Sequence, residues 1–422
     1  MTEPRRVLMI AYHFPPVQGS SGVQRTLRFA RWLPQFGWQP VVLTVHQRAY
    51  ERVVDDPGNA VPLGLEVHRA QAFDAARHFA VSGRYPRALA LPDRWSSWWL
   101  GAVPAGLALA RRLRPHAIWS TYPIATAHRI GATLQRWTGL PWVADFRDPM
   151  AQDGYPPDPR TWRSFRRVED LVFARASACV FTTPSSAAMY RARYPERADR
   201  IRIIENGYDE EAFAGLASRE PMPTGTGPVT LLHSGLVYPD ERNPRPLLEA
   251  LGQLVRAGRV SPADLRLRFR APGSAEALRA AAASAGVLDM VEIAPPVGYR
   301  EALQEMLLAD ALLVLQGANC NEQIPAKLYE YLRAGRPILG LADPRGDTGR
   351  VLAAAGVRHL APLESVAAIA DTLPRFLEAL RWDELPKPDG ETQHASRRER
   401  AAELAAVLDG VAGASRRLPV RP

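Results

Sequence analysis

Residues 6–11, RVLMIA, form an apolar run without polar alternation. A Pro- and Gly-containing loop follows (YHFPPVQGSSG), then a helix-period stretch ending at Gly37 (VQRTLRFARWLPQFG), then a second apolar run, QPVVLTV. A strand, a glycine-containing loop, a helix and another strand open a βαβ unit, so the first sheet should be parallel. Further strands are expected at 116–120, 141–145, 178–182 and 201–204, and helices at 98–113, 124–137 and 161–175. The alternation resumes after a loop-like stretch at 217–228, ASREPMPTGTGP. Strand VTLLHSG precedes helix PRPLLEALGQLVRAG; strand LRLRFRAPG, helix AEALRAAAASAG, strand MVEIAPP, helix YREALQEMLLAD, strand ALLVLQG, a helix at 325–334 and strand PILGL follow. This pattern predicts an α/β chain of two Rossmann-like, doubly wound domains, 1–215 and 225–385, with a C-terminal helix and tail at 386–422. Two such domains set strand ends around a central cleft, so the loops that follow strands are where ligands should lie.

Two cysteines, Cys179 and Cys320, lie far apart in sequence and offer neither a metal-ligand spacing nor a ready disulfide, which suits a reducing cytoplasm. No apolar stretch is long enough to span a membrane. The net charge of +9 is unevenly placed: residues 1–210 hold 28 Arg and 18 acids, whereas 211–422 hold 25 basic and 26 acidic residues. An anionic substrate, an anionic membrane surface or nucleic acid could use that excess. No nucleic-acid-binding motif accompanies it, so nucleic acid is not expected as a partner. Trp95, Trp98 and Trp99 stand beside Arg94, with Arg111, Arg112 and Arg114 further on. These tryptophans belong either to the core or to a membrane interface and a lipid-linked acceptor.

The stretch 321–339, NEQIPAKLYEYLRAGRPIL, follows the strand ALLVLQG. It contains Lys327, one of only two lysines in a chain with 51 arginines. Pro325 fits the first helical position, where its missing N–H costs nothing. The N–H groups of Ala326, Lys327 and Leu328 would then be open at a helix start, a ready phosphate site, and Lys327 adds a mobile point charge. Glu330 could accept from a ribose diol, and Glu322 could meet sugar hydroxyls beyond the phosphates. The plain alternative is that both glutamates are solvated and Lys327 is an ordinary helix charge. Other charged loops also follow strands. In PPVQGSSGVQR, Gly19 and Gly22 allow close backbone approach and Arg25 could face the cleft. VADFRDPM carries Asp145, Arg147 and Asp148, whose acids could orient an acceptor hydroxyl or pair with Arg147. IIENGYD supplies a tight Asn-Gly turn.

The stretch 321–339 resembles the donor-binding region of retaining GT-B glycosyltransferases of the large family 4 class, whose signature is two glutamates eight residues apart. It is similar to a subgroup written P-x-K-L-Y-E-Y-L-x-x-G-x-P-I-L. The likeness covers most of the chain: AYHFPPVQGSSGVQRTLRFARWLPQFGWQPVVLTV, LPDRW, DFRDPM, ENGYD and HSGLVYPDERNPRPLLEAL fall in the expected order. The resemblance implies a GT-B fold and a nucleotide-diphosphate sugar as donor substrate, with no separate cofactor and no metal. Glu322, Arg242, Lys327, Arg147 and Asp148 would be catalytic. Gly19, Gly22, Gly235, Ile324, Pro325, Ala326, Leu328 and Glu330 would be donor-binding, and Asp93, Arg25 and Asp145 acceptor-side. Two departures stand out. Relatives commonly have histidine at the Arg147 position and an arginine at the Leu236 position; Arg242 matches the second cation, with Arg245 as a helper. The implied activity is sugar transfer to a lipid-linked or glycan acceptor in bacterial envelope or exopolysaccharide synthesis, by a cytoplasmic protein peripheral to the inner face of the plasma membrane. A nucleotide-sugar epimerase or hydrolase, or a non-catalytic scaffold, is the alternative.

Overall fold

The computed structural model describes residues 4–17, 21–54, 60–80, 82, 84–217, 227–382, 385 and 395–417. The chain divides into two compact units, Met1–Asn206 with Arg397–Pro422, and Gly207–Ser396.

In the first unit the elements run β1 (Arg5–Ile10), α1 (Ser21–Trp32), β2 (Trp38–Val45), β3 (Glu66–Ala70), α2 (Ala75–His78), α3 (Trp98–Leu113), β4 (Ala117–Thr121), α4 (Ala125–Thr138), β5 (Trp142–Arg147), α5 (Pro159–Arg175), β6 (Ala178–Phe181), α6 (Pro184–Arg193) and β7 (Ile201–Ile203). The strands form a seven-stranded sheet in the order β3-β2-β1-β4-β5-β6-β7. Every pairing in it is parallel. Leu8 and Ile10 join a core on one face with Leu43, Ile118 and Trp142, while Val7 and Met9 join one on the other with Leu27, Phe29 and Trp119. Burial on both faces explains why these strands read as unbroken apolar runs. In α1 the sequence-expected helix gains a first turn containing Gly22. Pro34 opens a short 3-10 segment, and Gly37 at φ +78° supplies the left-handed stop that a residue without a Cβ adopts freely.

The second unit holds α7 (Glu210–Phe213), β8 (Val229–Ser234), α8 (Arg245–Arg256), β9 (Leu265–Arg270), α9 (Ala275–Ala285), β10 (Val291–Ala294), α10 (Tyr299–Leu308), β11 (Ala311–Leu315), α11 (Lys327–Ala334), β12 (Ile338–Leu341), α12 (Asp347–Ala354), β13 (Leu360–Ala361) and α13 (Val366–Arg381). Its sheet order is β10-β9-β8-β11-β12-β13, again parallel throughout. The last helix, α14 (Arg397–Arg417), packs on α1 and belongs to the first unit, although the sequence sets it apart as a tail. In each sheet the chain order reverses at a central pair, β1/β4 and β8/β11. The carboxyl ends of such pairs are where an open α/β sheet offers a crevice.

Candidate functional site

In the second unit, β8 ends on His233 and Ser234, and Gly235 follows at φ +115°. A Cβ built on Gly235 would lie 2.8 Å from the Lys327 Nζ and displace it, and the positive φ is one that a residue without a Cβ adopts freely. Lys327 Nζ lies 3.3 Å from His233 Nε2, and His233 Nδ1 lies 3.0 Å from the Leu313 carbonyl on β11. Beside them, the Arg242 guanidinium stands over the Tyr238 ring at 5.4 Å. Although Lys327 as a residue is only half-buried, burial of its ammonium is the first cause that lowers its pKa, to about 7; Arg242 adds to this and Glu330 opposes it. His233 is pushed well below its ordinary range by burial, then by Lys327, so it is neutral at pH 7.

The loop into α11 is held at several points. Gly317 N–H donates to the Glu241 carbonyl (2.7 Å), Asn319 Nδ2 to the Asp240 carbonyl (3.0 Å), Asn321 Nδ2 to Asp343 (2.9 Å) and Thr348 Oγ1 to the Gln323 carbonyl (2.9 Å). The segments after β8 and after β11 are thereby tied together. α11 begins at Lys327, two residues beyond Pro325, and the Leu328 N–H donates to the Pro325 carbonyl at 2.9 Å. This corrects the expected three open donors: Ala326 and Lys327 keep theirs, without an acceptor among the described residues, and Leu328 does not. Ile324 and Pro325 are buried beneath the turn. Glu330 is buried and accepts from the Tyr299 hydroxyl at 2.8 Å, so it is not a solvated surface acid. Glu322 is half-buried, and Arg245 is exposed at the start of α8. His233, Tyr299 and Tyr331, whose hydroxyl accepts the Ser234 N–H at 2.8 Å, had no assigned role in the sequence. A lone histidine at the end of an apolar strand ordinarily reads as core.

In the first unit, Arg25 from α1 grips Asp145 of β5 with two bonds of 2.9 Å, from Nε and Nη2, and also donates to the Ile204 (2.9 Å) and Glu205 (3.0 Å) carbonyls. Thr121 Oγ1 completes Asp145 at 3.0 Å. Asp145 thus pairs with Arg25 and not with Arg147, which corrects that alternative; the pair acts as a buried strut. Arg147 ends β5 beside a register shift, at φ +61°, with its guanidinium buried and Nη1 3.5 Å from the Tyr122 carbonyl. Burial lowers its pKa, and its charge, after burial, helps push His13 down to about 4. Asp148 follows, half-buried, its N–H donating to the Phe146 carbonyl at 2.7 Å. Gly22 lies in the first turn of α1, and Gly19 lies outside the described residues.

Asp93 accepts from Thr126 N–H (2.8 Å), Thr126 Oγ1 (3.0 Å) and Trp95 N–H (3.1 Å), which caps the start of α4. Replacing Asp93 by alanine should cost about 1–2 kcal/mol in denaturant unfolding, as the loss of a helix cap does. Trp98 is fully buried, Trp99 donates to Thr133 Oγ1 at 3.0 Å, and Trp95 packs against Tyr12 at 4.9 Å. Trp98 therefore belongs to the core, and Trp95 and Trp99 pack half-buried against it. No helix among the described residues is long and apolar enough to cross a membrane. No group of three or more His, Cys, Asp or Glu among them is placed to hold a metal ion.

Residues 21–207 match the family model of a glycosyl transferase 4-like domain. No curated protein sequence matches the chain significantly. Among solved structures, sucrose-phosphate synthase from Thermosynechococcus elongatus superposes with a TM-score of 0.67 at 15% identity, covering 98% of each chain. HepE from Anabaena, in complex with UDP-glucose, gives 0.61 at 14%, over 98% of this chain and 100% of that one. WaaG, a glycosyltransferase involved in lipopolysaccharide biosynthesis, gives 0.60 at 16%, over 97% and 98%. At such identities the likeness is one of fold; the fold is GT-B, and the two parallel α/β sheets of seven and six strands agree with it. Residues 21–207 thus carry a glycosyl transferase 4-like domain, within a chain of the GT-B fold.

Proposed function

We propose that this enzyme moves a sugar, with retention of configuration, from a nucleotide-diphosphate sugar to a lipid-linked or polysaccharide acceptor in envelope or exopolysaccharide assembly. The observation that carries the donor half is the gathering of Lys327, Arg242 and the two open N–H groups of Ala326 and Lys327 at the switch point of the second sheet. Cations and aligned N–H groups stabilise charge that develops on a departing diphosphate, a term that commonly supplies much of a catalyst's effect. Glu330 would take the ribose and Glu322 the hydroxyls of the donor sugar. Departure of the diphosphate would leave an oxocarbenium-like sugar, attacked on the same face by the acceptor hydroxyl, whose proton the leaving phosphate can accept. HepE, of the same fold, is described in complex with UDP and with UDP-glucose, and WaaG by its part in lipopolysaccharide synthesis, which supports donor and acceptor class alike. Calorimetric titration with UDP and GDP tests it. One nucleotide should bind, and Glu330→Ala should weaken it about tenfold through the lost charge-assisted hydrogen bond. Donor consumption without an acceptor would indicate the epimerase or hydrolase alternative; no binding of either nucleotide would favour a scaffold.

The membrane-side role has support in residues 71–101 of the first unit. Phe73, Phe79, Leu89 and Leu100 are exposed there, with the Phe73 and Phe79 rings 5.6 Å apart. Ser97 Oγ bonds both the N–H and the carbonyl of Phe73, and Ser96 Oγ bonds the Leu89 carbonyl, so the pieces form one surface. Both acids of the segment are engaged inward: Asp74 with the Ala76 N–H and Arg94, Asp93 with Thr126. The remaining charges, Arg77, Arg84 and Arg87, are exposed and positive. Apolar groups ringed by arginine suit an anionic lipid surface. The protein should co-sediment with phosphatidylglycerol-containing vesicles and not with pure phosphatidylcholine. Leu100→Ser with Arg87→Glu should reduce that binding about tenfold, at roughly 1 kcal/mol per basic residue plus the lost apolar contact. Equal binding by the double variant would sink this reading.

A further inference from the structure

We propose that His233 is a positioning residue: its Nε2 lone pair takes the Lys327 ammonium and holds it at the start of α11. The inference rests on the donor-site reading for the purpose that this positioning serves, and on geometry for the pairing itself. The Leu313 carbonyl, 3.0 Å from His233 Nδ1, can only accept, so Nδ1 carries the hydrogen. Nε2 then presents a lone pair, and Lys327 Nζ at 3.3 Å must be the donor. Among the described residues no other acceptor reaches Nζ within hydrogen-bond distance. His233 cannot move aside: it is 1% exposed, at the end of a strand paired on both sides, with its ring beside Phe269. Gly235 clears the space that the ammonium occupies.

The charged groups facing Lys327 are Arg242, from the loop after β8, and Glu330, on α11 itself. The same burial and cations keep His233 neutral, against the smaller opposing effect of the Leu313 and Leu236 carbonyls. A neutral acceptor is what this seat needs. A protonated imidazole would repel the ammonium, and an apolar ring would leave it to swing away from the helix start.

The two-lysine composition allows a direct test. Protein labelled with 13Cε-lysine has only the signals of Lys327 and Lys387, assigned by Lys387→Arg. Ligand-free samples of the wild type, His233→Phe, His233→Leu and His233→Gln are titrated. The Lys327 midpoint should lie near 7 in the wild type and fall by about one pH unit in the Phe and Leu variants, which lack an acceptor. It should return in the Gln variant, with Lys387 unmoved throughout. The nucleotide that binds the wild type should bind about tenfold more weakly to the Phe and Leu variants, with recovery in Gln. An unchanged midpoint in whichever of the Phe and Leu variants folds, or no rescue by Gln, overturns the assignment. If the midpoints move as expected while neither UDP nor GDP binds the wild type, the pairing stands and the donor-site reading falls.

Discussion

Replacing Lys327 by methionine is expected to weaken nucleoside-diphosphate binding at pH 6.5 by about tenfold to a hundredfold, the range for losing a charge-assisted hydrogen bond. It should also remove the part of the pH dependence of binding that Lys327 causes. The sign follows from the depressed pKa. Lys327 titrates at about 7 in the folded protein against 10.5 unperturbed, so only its protonated form, abundant below 7, offers charge to a phosphate. Wild-type affinity should therefore fall as pH rises from 6 to 9. A bound diphosphate would raise the pKa again, so binding at pH 8 should take up a proton, visible as a buffer-dependent calorimetric enthalpy. The ligand-free protein should show the converse. Between about pH 7 and 10.5 the unfolded chain holds a proton on this lysine that the folded one lacks, so the contribution of Lys327 to stability should rise with pH across that window, and the difference between wild type and methionine variant should show it. Lys327→Arg should not restore binding. The seat beside His233 and Gly235 is narrow, Nζ being 3.3 Å from one and in the space a Cβ would need on the other, which a branched guanidinium exceeds. That is a physical reason for one of two lysines to stand here in a chain that otherwise uses arginine. Equal affinity of wild type and methionine variant at pH 6.5 would remove Lys327 from the site.

The elements read from sequence are those whose strands are buried on both faces. RVLMIA, QPVVLTV, ALLVLQG and PILGL each became a central strand within a residue or so at either end. β3, with sequence EVHRA, escaped because it is a half-buried edge strand carrying three charged or polar residues in five, and β13 because its two residues carry no periodicity. The helix start at 325–328 was legible as a turn but not in its bonding: that Leu328 closes onto Pro325 depends on a local tightening of the backbone. Lys327, Gly235, Arg242 and Glu330 could be gathered from strand ends. The Arg25–Asp145 strut could not, since its partners lie 120 residues apart and the nearer Arg147 offered a simpler pairing. Position in a sheet is what makes a residue's role readable in advance; a contact between distant side chains leaves no periodic trace.

A chain ended at Ser396 is expected to lose cooperative folding of its first unit, although every strand of that unit precedes residue 204. α14 buries Ala401, Leu404, Ala405, Leu408 and Ala412, spaced to form one helical stripe, in the core face that Leu27, Ala30, Leu33 and Trp38 supply. Its removal would expose that face. It would also take the Asp409 carboxylate from the Trp38 indole N–H (2.7 Å), which is fully buried and would have no replacement acceptor, and from Arg5 (2.7 Å). Arg397 to Gln24 and Arg398 to Gln35 fasten the same helix to the α1 side at 3.0 Å each, and Arg400 to Glu205, also at 3.0 Å, fastens it beyond β7. The milder substitution gives the quantitative test. Leu408→Ala should cost about 3 kcal/mol, within the range for emptying a fully buried leucine site, and Asp409→Ala about 1–2 kcal/mol for an orphaned indole donor. Tryptophan fluorescence through a denaturant titration reads both, because Trp38 and Trp119 line that face. A Leu408→Ala midpoint indistinguishable from wild type would mean that α14 merely rests on the first unit; a loss near 3 kcal/mol would make the returning helix an integral layer of it.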